Sequence, residues 1–154
     1  MRLIIFEPDI PQNTATMIRA AACLNVPVDI IEPCGFVFSD KQFRRAGMDY
    51  LDHARIQRHG TWDVFFDVRR RLSPPVERLV LLTTSGGQTY TDFEFLPGDG
   101  LIVGRESAGV PGRIHDLADA RVRIPMVPEM RSLNVAVAAG MVLGEGLRQT
   151  GAFP

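Results

Sequence analysis

Lysine is almost missing from this chain: of 17 basic residues only Lys41 is lysine, the other sixteen being arginine. A GC-rich genome accounts for that bias as readily as a need for the bidentate phosphate contacts that guanidinium makes. Cysteine is as scarce, with Cys23 and Cys34 lacking CxxC spacing or a neighbouring His cluster. That excludes a zinc site and a disulfide framework, and leaves two small hydrophobes expected in the core. The three histidines, His53, His59 and His115, share no helical face at ligand spacing, so no metal is expected. No apolar stretch approaches the roughly 20 residues that cross a bilayer. No charged leader with a cleavage site precedes the first apolar run, so a cytoplasmic protein is expected. Neither sign of charge dominates; a net charge of −1 argues against indiscriminate nucleic-acid binding but leaves room for a local basic face.

Several familiar motifs are also absent. There is no GxxxxGK[ST] to wrap a triphosphate, no GxGxxG after the first strand, no HExxH, and no GxSxG elbow around Ser85. Nor is there a repeat, a linker or a low-hydrophobicity tail.

What is present suits one globular domain spanning residues 1–154, with 45% hydrophobic content. Arg2 to Phe6 reads as a buried strand, Pro11 to Asn25 as a helix with Met17, Ile18, Ala21, Ala22 and Leu24 inward, and Val28 to Ile31 as a second strand. Ser39 caps an expected short helix over Asp40 to Ala46, stopped by Gly47. Trp62 to Leu72 follows as a helix with Val64, Phe65, Val68 and Leu72 inward. Arg78 to Thr84, Leu101 to Val103 and Val122 to Ile124 are further strands, and a last helix runs from near Ser132 or Asn134 to about Arg148. Strands alternating with helices give an α/β fold, a mostly parallel sheet with helices on both faces. Ligands of such sheets sit beyond the carboxyl ends of the strands. The turns holding Leu82 to Gly87, Gly104 to Gly109 and Ile124 to Arg131 should therefore converge on one pocket. They offer glycine-rich backbone, one acid at Glu106, and amide or hydroxyl groups at Asn13, Ser132 and Asn134.

Ordered motifs join these pieces: Glu-Pro-x-Ile-Pro-x-Asn-Thr at Glu7 to Thr14, Ile-Glu-Pro-x-Gly-Phe at Ile31 to Phe36, Arg-Arg-Ala-Gly-x-Asp-Tyr at Arg44 to Tyr50, Leu-Thr-Thr at Leu82 to Thr84, Gly-x-Glu-Ser-x-Gly-x-Pro at Gly104 to Pro111, and Ile-Pro-Met at Ile124 to Met126 followed by Arg131-Ser132-Leu133-Asn134. Over nearly its whole length the chain thereby resembles the SPOUT class of RNA methyltransferases, and within it the small tRNA (cytidine/uridine-34) 2'-O-methyltransferases. The resemblance implies a C-terminal trefoil knot, which periodicity alone would not suggest because threaded chains are so rare. It implies a homodimer and S-adenosylmethionine as cofactor, with no metal. It places the cofactor on Leu82, Gly104, Ile124 and Ser132, with Thr83, Met126 and Leu133, largely through backbone groups. It puts Arg19 at the ribose 2'-hydroxyl, as a base or as a stabiliser of the oxyanion; a guanidinium is too weak a base at neutral pH, which favours the second role. Asn13 would orient Arg19 or the ribose, or simply cap its helix; Glu106 would hold the loop or Arg19, or cap the turn.

The substrate implied is the anticodon loop of tRNA. Lys41, Arg44 and Arg45, with Arg55 and Arg58 nearby, form the densest basic segment, and Arg69 to Arg71 another; each is a candidate for phosphate contact or a solvated face. Phe36, Phe38 and Tyr50 are candidates for stacking on a base or for core packing. Three positions depart from the family pattern: Ser85 where a basic residue is common, Gly144 where an aromatic is, and Arg105 where proline is expected. Methylation of another tRNA or rRNA nucleotide, or RNA binding without catalysis, are the competing readings.

Overall fold

The computed structural model describes residues 1–37 and 52–154. The expected helix over Asp40 to Ala46, and with it Lys41, Arg44, Arg45, Phe38 and Tyr50, lies outside the described residues.

Five consecutive buried residues, Arg2–Phe6, form β1, and the same unbroken burial recurs in β2 (Val28–Ile31) and β6 (Asp99–Val103). Continuous apolar runs of this kind belong to parallel strands covered on both faces. With β3 (Ile56–His59), β4 (Arg78–Leu82), β5 (Gln88–Thr89) and β7 (Ala120–Arg123) they make a seven-stranded sheet in the order β3-β2-β1-β6-β4-β7-β5. Every pairing between these strands is parallel. All carboxyl ends therefore open on one rim.

The sheet separates two apolar compartments. On one side α1 (Pro11–Cys23) and α4 (Val135–Thr150) bring Met17, Ile18, Ala21, Val142, Leu143 and Leu147 against Leu3, Ile5 and Leu101. On the other, α2 (Trp62–Val68) and α3 (Gly112–Leu117) bring Trp62, Phe65 and Ile114 against Ile4, Ile31, Leu81 and Ile102. Residues adjacent along a strand serve opposite compartments, as the two-residue period requires.

Local chemistry sets the helix ends. Pro11 opens α1, where its missing N–H is no loss, and Asn25, just past its end, takes φ 55. Thr61 caps α2 by accepting from the Val64 N–H at 3.2 Å, and Gly151 at φ 62 ends α4. Helix α2 is shorter than the pattern from Trp62 to Leu72 suggests. It tightens into a 3-10 turn over Arg69–Arg71, where the Arg69 guanidinium lies 3.7 Å from the centre of the Phe66 ring. Val64, expected inward, is exposed, because Trp62 and Phe65 occupy the inner face. Cys23 is exposed at the last turn of α1 and Cys34 half-buried, so the expectation of two core thiols fails for Cys23.

A polar cluster lies inside. Arg2 grips Asp29 with both arms, Nε at 2.7 Å and Nη2 at 3.1 Å, while His59 Nε2 sits 2.8 Å from the same carboxylate. Arg2 Nη1 also donates to the carbonyls of Ser73 and Pro74, at 3.1 and 3.3 Å. All three residues are at most 3% exposed, so each supplies the partner that burial of the others demands. Among the described residues no helix is long and apolar enough to cross a membrane, and no three His, Cys, Asp or Glu side chains gather as a metal site would need.

Candidate functional site

At the rim where β4, β6 and β7 end, the loops that follow them and the start of α1 enclose a cavity of about 590 Å³. That is a usual size for a small-molecule site. Leu82 and Thr83 reach it from β4, Gly104 from β6, Ile124 and Met126 from the segment after β7, and Ser132 and Leu133 from the approach to α4. Asn13 and Glu106 also line it. Arg19 does not. It is exposed on α1, six residues beyond Asn13, which sets it about 9 Å further along the helix and about 120° around it.

The loop after β6 folds back on itself through a pair of backbone bonds, Arg105 N–H to the Gly109 carbonyl at 3.1 Å and Gly109 N–H to the Arg105 carbonyl at 2.8 Å. Gly109 takes φ 67 to allow the return. The backbone at Gly109 then lies so close that a Cβ on Gly104 would stand 2.5 Å from its carbonyl carbon. Only glycine leaves room for this crossing.

A polar chain runs across the mouth. Asn134 Oδ1 caps α4 by accepting from Ala136 N–H at 2.9 Å and Val137 N–H at 3.3 Å, while its amide nitrogen donates to Asn13 Oδ1 at 2.9 Å. Asn13 Nδ2 donates onward to Glu106 Oε1 at 3.0 Å. Glu106 and Asp9 exchange backbone-to-carboxylate bonds, Asp9 N–H to Glu106 Oε2 at 3.2 Å and Glu106 N–H to Asp9 Oδ1 at 3.1 Å. The Ser107 hydroxyl closes on Asp9 as well. Asn13 is thus spoken for by Glu106 and Asn134, and the cap position of α1 is Ile10, which makes no side-chain bond there.

The two carboxyls are pushed in opposite directions. The Glu106 carboxyl, with help from Ser107, holds Asp9 down at about 2, whereas burial, reinforced by Asp9, pushes Glu106 above the usual carboxylate range. A raised folded-state pKa gives stability that is complete below the unfolded value and lost as pH rises through the folded one. Glu106→Gln, neutral at every pH, should accordingly gain melting temperature over the wild type as pH climbs from about 4 to 8, by an amount on the order of a few degrees. Parallel melts across that range check this; a constant difference would show that Glu106 carries no such burden.

Several residues at this site gave no sign of it in the sequence analysis. Asp9 lies inside the first motif without a role of its own there, and its partners are 97 and 98 residues away. His115 lines the cavity from α3, a helix of six residues beginning at Gly112, too short for periodicity to reveal. Val135 follows Asn134, and adjacency was the available signal, whereas Arg131, within a turn and a motif already expected at the pocket, does line it. Of the other basic candidates, Arg58 pairs with Glu32 and Arg55 with Asn25, while Arg70 and Arg71 are exposed.

An all-parallel α/β sheet with a glycine-lined cup at its carboxyl rim defines the class: an α/β fold that takes its ligand at the strand ends. Residues 1–144 match the SpoU rRNA Methylase family, and the chain belongs to it. The tRNA (cytidine(34)-2'-O)-methyltransferase of Beijerinckia indica is 59% identical over 151 residues, covering 98% of this chain and 92% of that one. The protein of the same name from Escherichia coli K12 is 37% identical, with coverages of 98% and 94%. Among solved structures, one described as giving structural insights into the 2-OH methylation of C/U34 on tRNA superposes with a TM-score of 0.87 at 34% identity, covering 96% and 94% of the two chains. The SpoU methyltransferase AviRb from Streptomyces viridochromogenes in complex with AdoMet superposes with a TM-score of 0.83 at 28% identity over 97% of this chain and 57% of that one.

Proposed function

We propose that this protein is a methyltransferase that uses S-adenosylmethionine to methylate the 2'-hydroxyl of the wobble ribose, position 34, of tRNA, acting as a single-domain cytoplasmic homodimer with the C-terminal knot of its family. The observation that carries the reading is the convergence of three strand-end loops with Asn13 and Glu106 around one cavity.

The cavity suits the cofactor. Leu82, Val103, Ile124 and Leu133 offer apolar walls for a purine, and irregular backbone at strand ends offers N–H and C=O groups to its polar edge. Gly104 lets main chain approach closely, and Ser132 adds a hydroxyl. When bound, the cofactor supplies a methyl already activated by the sulfonium charge. What is left to the protein is alignment of the attacking oxygen and care of its charge, and alignment alone is worth on the order of several kcal/mol. Asn13, fixed between Glu106 and Asn134, offers a rigid amide to the ribose. Arg19 stabilises the developing oxyanion.

In one chain Arg19 stands off the cavity wall, so it serves the site of a second copy. Helix α4 leaves Val137 and Met141 exposed by 55% and 39%, and Cβ atoms added at Gly140 and Gly144 would meet nothing within 4 Å. Such a stripe lets another backbone come near and suits two-fold pairing. The basic residues Lys41, Arg44 and Arg45 would hold the anticodon arm.

Incubating the purified protein with tRNA and S-adenosylmethionine, then separating nucleosides by mass spectrometry, tests the reading. The expected product is a 2'-O-methylated nucleotide at position 34. Methylation at another tRNA position or in rRNA would move the target, and no detectable cofactor heat in calorimetry would leave an RNA-binding module.

A further inference from the structure

Arg105 stands where the family pattern leads one to expect proline, and it lies on the cavity wall immediately after Gly104. The turn it belongs to needs its N–H, which donates to Gly109, and any residue except proline supplies that. Nothing in the turn needs a guanidinium. The side chain instead reaches towards the end of β1, where Nη2 donates to the Glu7 carboxylate. Glu7 itself takes φ 43, a conformation uncommon outside glycine.

That pair leaves the guanidinium under-used. It has five N–H donors, and among the described residues Nε is buried without a hydrogen-bond partner. The side chain is 32% exposed, so the pair with Glu7 is of the half-solvated kind that adds little stability, while an unmatched buried N–H detracts from it. Loop stability does not account for this arrangement. Nη1, which makes no hydrogen bond among the described residues and is not buried, stays open to an acceptor arriving from outside.

Resting on the methyltransferase reading, we propose that Arg105 is a substrate-positioning residue that binds a phosphate of the RNA strand next to the methylated ribose. Glu7 holds the guanidinium on the β1 side of the cavity, the side from which Asn13 enters and away from Leu82 at the end of β4 and Ile124 just after β7. There it meets the RNA backbone rather than the cofactor. A phosphate engages the guanidinium through two parallel N–H donors, with Glu7 retaining the other edge.

Binding of a tRNA anticodon stem-loop is measured over a salt series for the wild type, Arg105→Gln and Glu7→Gln, with cofactor affinity measured by calorimetry on each. Arg105→Gln should weaken RNA binding about tenfold near 0.1 M salt and flatten the slope of log affinity against log salt by roughly 0.7, as loss of one single-strand phosphate contact requires. Its cofactor affinity should stay within about twofold. Glu7→Gln should bind RNA as well as the wild type or better, with the slope unchanged. An unchanged slope in Arg105→Gln, a loss of cofactor affinity in it, or an equal loss of RNA binding in Glu7→Gln would each overturn the assignment, the last by showing the pair to be a loop fastening. Wild-type methylation of the same RNA is recorded alongside, so failure of the broader reading appears as missing wild-type activity rather than as equal slopes.

Discussion

Arg19→Ala should lower the methylation rate at least a hundredfold while cofactor affinity stays within about twofold. Removal of one preorganised donor to a developing oxyanion has an effect of about that size. The second half of the expectation follows from position, because Arg19 is exposed on α1 and absent from the cavity wall of its own chain. Arg19→Lys should recover part of the rate, since a point charge replaces a fork. For the homodimer proposed above, mixed dimers supply the sharper measurement. Pairing an Arg19→Ala chain with one whose cavity is blocked leaves one site with both an intact cavity and the other chain's neighbouring arginine only if the residue works across the interface. Activity in that mixture, beyond either variant alone, is the expected outcome; a fully active Arg19→Ala homodimer would remove the residue from the mechanism.

Gly104→Ala should be the most damaging single change in the cavity. Its Cβ would fall 2.5, 2.8 and 2.9 Å from the carbonyl carbon, Cα and carbonyl oxygen of Gly109, all of them backbone, so no side chain can swing away to relieve the clash. Overpacking of this kind costs about 1–3 kcal/mol. Here the strain falls on the crossing that shapes the cup. An affinity loss of roughly ten- to hundredfold for the cofactor follows, at 1.4 kcal/mol per decade, together with a lower melting temperature. Calorimetry and a thermal melt measure both. Gly112→Ala, at the first position of α3 just beyond that loop and with nothing within 4 Å of the added methyl, is the matched control and should bind normally.

The long apolar runs made the sheet legible. Leu3 to Phe6, Val28 to Ile31 and Leu101 to Val103 announce buried parallel strands because both of their faces are covered. Strand β3 stayed hidden for the opposite reason: it lies at the edge, and exposed Gln57 and Arg58 break its pattern. Strand β5, with two residues, and α3, with six, are too short to carry a period. Turn chemistry pointed to the loops that surround the cavity. The bonds inside it were not legible, because Asn13 finds Glu106 across 93 residues and Asn134 across 121, a separation that no local pattern encodes.

The interior trio of Arg2, Asp29 and His59 has a consequence for how this molecule can diverge. Losing one member strands the charge or polar atom of another in an apolar compartment, which for buried pairs costs about 3–5 kcal/mol, whereas swapping the whole set for well-packed hydrocarbon is often neutral. Single steps away from it lead downhill in fitness. Descendants can abandon the trio together or keep it together, so these positions, spread over three neighbouring strands, should drift through time as one heritable block.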